Sequence, residues 1–127
     1  MTTLRHITFA SGLYEASARA LKRDARRWSL STTVYTPSHP AVRALRRRHP
    51  RIMSATRGAG YWLWKPAIIL DAMEKSAADD LILYTDAGMS FVADPHLLAA
   101  VAEVSPIGLF EHDEPNAAPA TYAMRRS

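Results

Sequence analysis

Leu81-Ile82-Leu83-Tyr84-Thr85-Asp86-Ala87-Gly88 is the stretch on which the fold turns. Five apolar or β-prone residues run without a break and end on an acid and a glycine. A strand of that kind suits burial on both faces, as in a parallel sheet covered by helices. Upstream stands Gly58-Ala59-Gly60-Tyr61-Trp62-Leu63-Trp64-Lys65-Pro66, with two glycines, three large aromatics and a lysine before a proline that can open a helix. One helix separates the two blocks, so the lysine end and the aspartate end are expected at the same rim of a sheet. Open α/β sheets bind ligands there, just outside the carboxyl ends of their strands.

Working outward, Leu4–Ala10 reads as a strand with Ile7 and Phe9 on one face and Thr8 on the other, ended by Ser11-Gly12. Tyr14, Ala18, Leu21, Ala25 and Trp28 recur at helical spacing and predict one inward stripe. Thr32–Tyr35 is β-branched and aromatic, a second strand. Pro40 can open a helix over Ala41–His49, with Val42 and Leu45 inward and arginines outward, stopping before Pro50. Arg51–Gly60 shows no period and reads as a loop. A helix is expected from Pro66 to about Ser76, then Asp79-Asp80 leads into the strand Leu81–Thr85. Asp94-Pro95 predicts a capped helix to about Val104, and Ile107–Phe110 a fourth strand. This alternation predicts an α/β domain, a Rossmann-like, mostly parallel sheet with flanking helices. That domain spans 1–110, and 111–127 is expected to be an irregular C-terminal tail.

At 127 residues and 48% hydrophobic content, the chain is one domain or part of one. No apolar run approaches the ~18–20 residues that cross a bilayer. No signal peptide is visible at the N-terminus, and cysteine is absent, which fits a cytoplasmic protein. The net charge of +4 comes from thirteen arginines and three lysines against twelve acids. Lys22, Arg23, Arg26 and Arg27 form one cluster, and Arg43, Arg46, Arg47, Arg48 and Arg51 another. Such clusters attract nucleic acid, anionic lipid or a nucleotide diphosphate. Solvated helix faces are the simpler account of both, and nucleic acid is the less favoured partner.

Asp86 at a strand end suits a metal ion or ribose hydroxyls, and equally a cap on the next turn. Gly88 permits close approach of a ligand. Lys65 at a helix start adds an ammonium to free amides that already favour a phosphate; as a surface lysine it needs no such role. Trp62 and Trp64 flank Leu63, so one can face the core while the other stacks on a base or sugar; core packing alone also accounts for both. His112 is a candidate metal ligand or acid/base group, although an exposed polar loop explains it more simply. No Walker loop, glycine-rich dinucleotide fingerprint or Gly-x-Ser-x-Gly elbow occurs, which weighs against ATPase, dehydrogenase and hydrolase chemistry.

Thr8–Tyr14, Val34-Tyr35-Thr36-Pro37, Gly58–Pro66 and Leu83–Gly88, taken in order, resemble a group of bacterial glycosyltransferase-like proteins, nucleotide-diphospho-sugar transferases of the GT-A fold. The resemblance runs from about Thr8 to Phe91, and the Gly-Tyr-Trp-Leu-Trp-Lys-Pro block is its specific part. It implies that Ala10, Ser11 and Gly12 line a nucleotide pocket. It makes Asp86 the first acid of an Asp-x-Asp element holding ribose and a Mn²⁺ or Mg²⁺, with Ala87 and Gly88 following in the donor site. Trp62, Trp64 and Lys65 would lie beside the donor. Gly88 stands where that element has its second acid, and Asp94, His112 or Asp113 are candidate substitutes. The expectation is a donor-binding half, truncated or degenerate, related to enzymes that transfer a sugar to a hydroxyl acceptor, with no catalytic residue assigned. The alternative is a non-enzymatic, arginine-rich binding module for nucleic acid or an acidic partner.

Overall fold

The computed structural model describes residues 3–105, 107–110 and 121–125. Its core is a five-stranded sheet in the order β2-β1-β3-β5-β4, formed by β1 (Leu4–Phe9), β2 (Thr32–Tyr35), β3 (Leu81–Thr85), β4 (Ile107–Phe110) and β5 (Thr121–Arg125). β1 pairs in parallel with β2 and with β3, while β5 runs antiparallel between β3 and β4. Four strands therefore share one direction and β5 opposes them. The fold is α/β and Rossmann-like, with a mostly parallel sheet and helices on both faces.

The period of two along each strand distributes the core to those faces. Ile7 and Phe9 of β1 and Ile82 and Tyr84 of β3 turn to one side, where they pack with Tyr35, Val42, Trp64 and Ile68. The helices supplying that layer are α2 (Pro40–Arg48) and α5 (Trp64–Lys75). Leu4 of β1 and Leu81 and Leu83 of β3 turn to the other side, against Ala25, Leu30 and Ala102. That layer comes from α1 (Tyr14–Arg26), a 3₁₀-helix (Pro95–Ala100) and α6 (Val101–Val104). All five residues of β3 are buried, as the apolar run predicts for a strand covered on both faces.

Polar groups pin the register of β1 and β3. Asp80, 4% exposed, accepts from Arg5 Nε at 2.5 Å and from the Ala77 amide at 3.0 Å. Those two bonds hold its carboxyl below the usual carboxylate range. Next along β1, His6 is 1% exposed, with Nδ1 2.8 Å from Thr32 Oγ1 and Nε2 2.8 Å from Thr85 Oγ1. Burial lowers the His6 pKa to about 4.

Several boundaries differ from the sequence reading, for physical reasons. Residues 121–125 form β5 although 111–127 reads as an irregular tail; five residues carry little periodicity, and their ladder with β3 is what makes them a strand. The loop expected over Arg51–Gly60 contains one short helix, α3 (Pro50–Met53), opened by Pro50, and a tight turn, labelled α4 (Gly58–Tyr61), whose Ala59 and Gly60 leave helical geometry. α5 begins at Trp64 rather than Pro66; a proline in the first turn loses no helical bond, because those amides lack acceptors in any case. Tyr14, expected on the inward stripe of α1, is 63% exposed, because the first turn rises above the sheet rim. Trp28 lies beyond that helix, which ends where Ser29 adopts φ 57° and the Leu30 amide returns to the Ala25 carbonyl. The segment after Asp94 is capped as expected, with the carboxylate accepting from the His96 amide at 3.0 Å, but it starts as the 3₁₀-helix. Among the described residues no helix is long and apolar enough to cross a membrane.

Candidate functional site

From β1 the chain leaves through α1 to β2 on one side, and from β3 it leaves toward β4 and β5 on the other. The two connections diverge above neighbouring strands. This is the switch point at which open sheets leave a crevice outside their carboxyl ends. A cavity of about 440 Å³ occupies that position, within the range of small-molecule sites.

Aromatic rings make its floor. Phe9, the last residue of β1, stacks on Trp64 with ring centroids 4.0 Å apart and planes 14° from parallel, and the Tyr84 ring lies 6.3 Å from Trp64. Trp64 is 6% exposed and serves as core and floor together, whereas Trp62 is 45% exposed on the cavity wall. Backbone conformation separates the two indoles: Trp62 has φ 59°, preceded by Ala59 at φ 50° and Gly60 at φ 103°. Left-handed geometry at a tryptophan costs roughly 1–2 kcal/mol and persists only where its surroundings impose it.

Gly60 supplies part of that constraint, because an added Cβ would sit 2.8 Å from Met53 Sδ and 2.9 Å from Met53 Cα. Gly60→Ala is expected to lower stability by about 2–3 kcal/mol and to blue- or red-shift Trp62 emission as the turn re-forms. An unchanged thermal midpoint together with an unchanged spectrum would refute that role for the turn.

Charge gathers at the rim. The antiparallel course of α5 relative to β3 brings its first turn over the end of that strand, and Lys65 Nζ lies 4.0 Å from Asp86 Oδ1. The ammonium also lies 5.1 Å from the Tyr84 ring centre and 5.8 Å from that of Trp64. The Tyr84 hydroxyl donates to Asp86 Oδ1 at 2.7 Å, fixing one carboxylate oxygen. Ser11 and Tyr14 close the side beneath α1, and Ala87, Gly88 and Met89 the side beyond β3.

Of the residues the sequence singles out, Ser11, Trp62, Trp64, Lys65, Asp86, Ala87 and Gly88 line this one cavity. Ala10 and Gly12 do not. Ala10, 1% exposed, packs with Ala18 and Ala87 beneath the loop. Gly12, at φ 55°, turns the chain so that α1 can start. Phe9, Tyr14, Ala59, Tyr84 and Met89 join the lining without having been singled out. Tyr84 was detectable, since residues two apart on a strand share a face and its hydroxyl reaches Asp86. Asp94 borders a separate apolar cavity, and its carboxylate is engaged by His96, 2.7 Å from Nδ1. His112 and Asp113 lie outside the described residues. Among the described residues no three histidine or acidic side chains converge on a common point, and Asp86 is the single carboxylate on the cavity.

A second polar cluster lies away from the crevice. The Tyr35 hydroxyl donates to Asp71 at 2.6 Å and Lys75 Nζ lies 2.8 Å from the same oxygen, while the His39 ring packs against Tyr35. Burial alone would raise the Asp71 pKa, but the bonds from Lys75 and Tyr35 outweigh it and hold the carboxyl below the usual range.

Set against family models, curated proteins and solved structures, the chain matches none.

Proposed function

We propose that the crevice between β1 and β3 binds a nucleotide-diphospho-sugar, making the chain a glycosyltransferase-like, donor-binding domain of the GT-A kind. The observation that carries this reading is the convergence of Lys65, Asp86 and the half-exposed Trp62 on one cavity at the switch point. Each part suits one part of such a ligand. Trp62 offers a face on which a base or sugar stacks. Asp86 accepts from ribose hydroxyls. The Lys65 ammonium attracts the diphosphate, and it would stabilise charge growing on it as it leaves. We assign no catalytic base, so the proposal is one of donor binding, with transfer to a hydroxyl acceptor as the related chemistry.

A single carboxylate suits a Mn²⁺ or Mg²⁺ ion held mainly by the ligand's own phosphates, the common arrangement for Mg²⁺. Such an ion would be carried in with the donor, and Asp86 would hold it from the protein side. The cytoplasm is the proposed place of action, in keeping with a chain of 127 residues without cysteine.

Calorimetric titration with UDP- and GDP-sugars, with and without Mn²⁺, tests the reading. Binding is expected, and Lys65→Ala should weaken it about 10- to 100-fold, the worth of a charge-assisted bond to phosphate. Asp86→Ala should weaken it about tenfold. No binding by a folded sample, or equal binding by Asp86→Ala, would overturn the assignment.

A further inference from the structure

The acids of this chain are unevenly placed. No Asp or Glu occurs from residue 25 to residue 70, a stretch that holds nine of its sixteen lysines and arginines. Much of that surplus lies on α2 and the segments that follow it directly. α2 buries Val42 and keeps Leu45 partly buried against the core, which turns Arg43, Arg46 and Arg47 to solvent. Arg51 follows on α3, also exposed. Arg48 stands apart, since it borders the groove between α2 and α5 whose other wall includes Asp71 and Glu74. Among the described residues, no ion pair involves Arg43, Arg46, Arg47 or Arg51.

Two large apolar side chains are exposed on the same run of chain. Ile52, beside Arg51, is 43% exposed, and Trp62 is 45% exposed with the Arg57 guanidinium 5.9 Å from its ring centre. Gly60 sits against the buried Met53 of α3, so the turn that leads into Trp62 packs beside the helix that carries Arg51 and Ile52.

We infer that this surface docks the domain onto an anionic membrane. Headgroup phosphates supply the many anions that this carboxylate-free stretch of chain lacks. An aliphatic and an indole side chain among the arginines can enter the boundary between headgroups and acyl chains. A nucleic acid would use the arginines but offers no such environment to Ile52, and this separates the two polyanions. Trp62 also forms a wall of the crevice, so docking sets the cavity mouth close to the headgroups. The inference stands on charge and exposure alone and holds whether or not the crevice binds a nucleotide-sugar.

Co-sedimentation of the full chain with vesicles tests it without any donor. Binding is expected to phosphatidylcholine vesicles containing about one-third phosphatidylglycerol, to fall as salt is raised, and to be absent with phosphatidylcholine alone. Each arginine near the surface is worth about fivefold, so Arg43→Gln, Arg46→Gln and Arg47→Gln together should cost about a hundredfold. Should that triple variant unfold, as judged by circular dichroism, Arg47→Gln alone should cost about fivefold. Ile52→Ser should weaken binding severalfold while leaving the salt dependence unchanged. Equal binding to neutral vesicles, no binding to anionic ones, or no effect of the arginine changes would overturn the inference. Tighter binding to an RNA or DNA oligonucleotide than to the vesicles would overturn it in favour of nucleic acid.

Discussion

Acidification from pH 6.5 to about 4 is expected to remove about 3 kcal/mol of folding stability, with His6 the main cause. The direction follows from which state takes up the proton. In the unfolded chain His6 protonates near 6.5, whereas in the sheet burial holds the ring neutral down to about 4. Between those values the unfolded state binds more protons, so stability falls as pH falls, and the His6 slope fades over about one pH unit above 6.5. Its two threonine partners do not offset this, because neutral hydroxyls cannot replace the hydration of a buried charge. His39 is likewise held below its usual value, chiefly by burial, and adds a smaller slope of the same sign. Asp71 and Asp80, whose pKa values are lowered from 3.8, lose their contribution mainly below about pH 4, so they add to the fall only at the acid end of the His6 window. Urea midpoints measured across the range check the expectation. His6→Leu should be less stable near neutrality, since Thr32 and Thr85 lose the ring as partner, yet nearly flat from 6.5 to 4. A variant that kept the whole slope would remove His6 as its source.

Trp64→Ala is expected to cost about 3–5 kcal/mol, the usual range for deleting a buried tryptophan. Its indole stacks on Phe9 and lies near Tyr84 and the buried Ile68, so deletion opens a void between α5 and the sheet. The small domains to which this chain belongs in size have only about 5–15 kcal/mol of total stability, so the variant should stand near the edge of folding. Trp64→Phe keeps a ring against Phe9 and should cost about 1–2 kcal/mol. Denaturant unfolding of the three proteins gives the order directly. A loss below about 1 kcal/mol for Trp64→Ala would mean that this indole is not the floor joining core to crevice.

The parts of the fold that were readable in the sequence are those written in composition over several residues. Leu81–Thr85 is apolar throughout, and only a strand covered on both faces suits that. The meeting of Lys65 and Asp86 was also readable, because a single helix between two blocks returns the chain to the rim it left. What escaped depends on partners distant in sequence. Asp79-Asp80 reads only as the lead-in to a strand until the pairing of Arg5 with Ile82 brings the Arg5 guanidinium to Asp80. β5 is too short to announce itself and is defined by its ladder with β3. Tyr14 follows the helical stripe perfectly well, yet a stripe says nothing of where the sheet beneath it ends. The difference between Trp62 and Trp64 lies in a positive φ at the first, which its flanking residues do not encode.

The 4.0 Å pair of Lys65 and Asp86 gives the crevice an internal competitor. Any anion that approaches the ammonium meets a carboxylate already held beside it by the fold. A bare phosphate must displace that carboxylate and leaves it without a cation. A ligand that brings an anion for Lys65 together with hydroxyl donors or a cation for Asp86 suffers no such loss. Free phosphate would thus be filtered out by the same two residues that would hold a bifunctional ligand, with selectivity arising from the exchange of one partner for two.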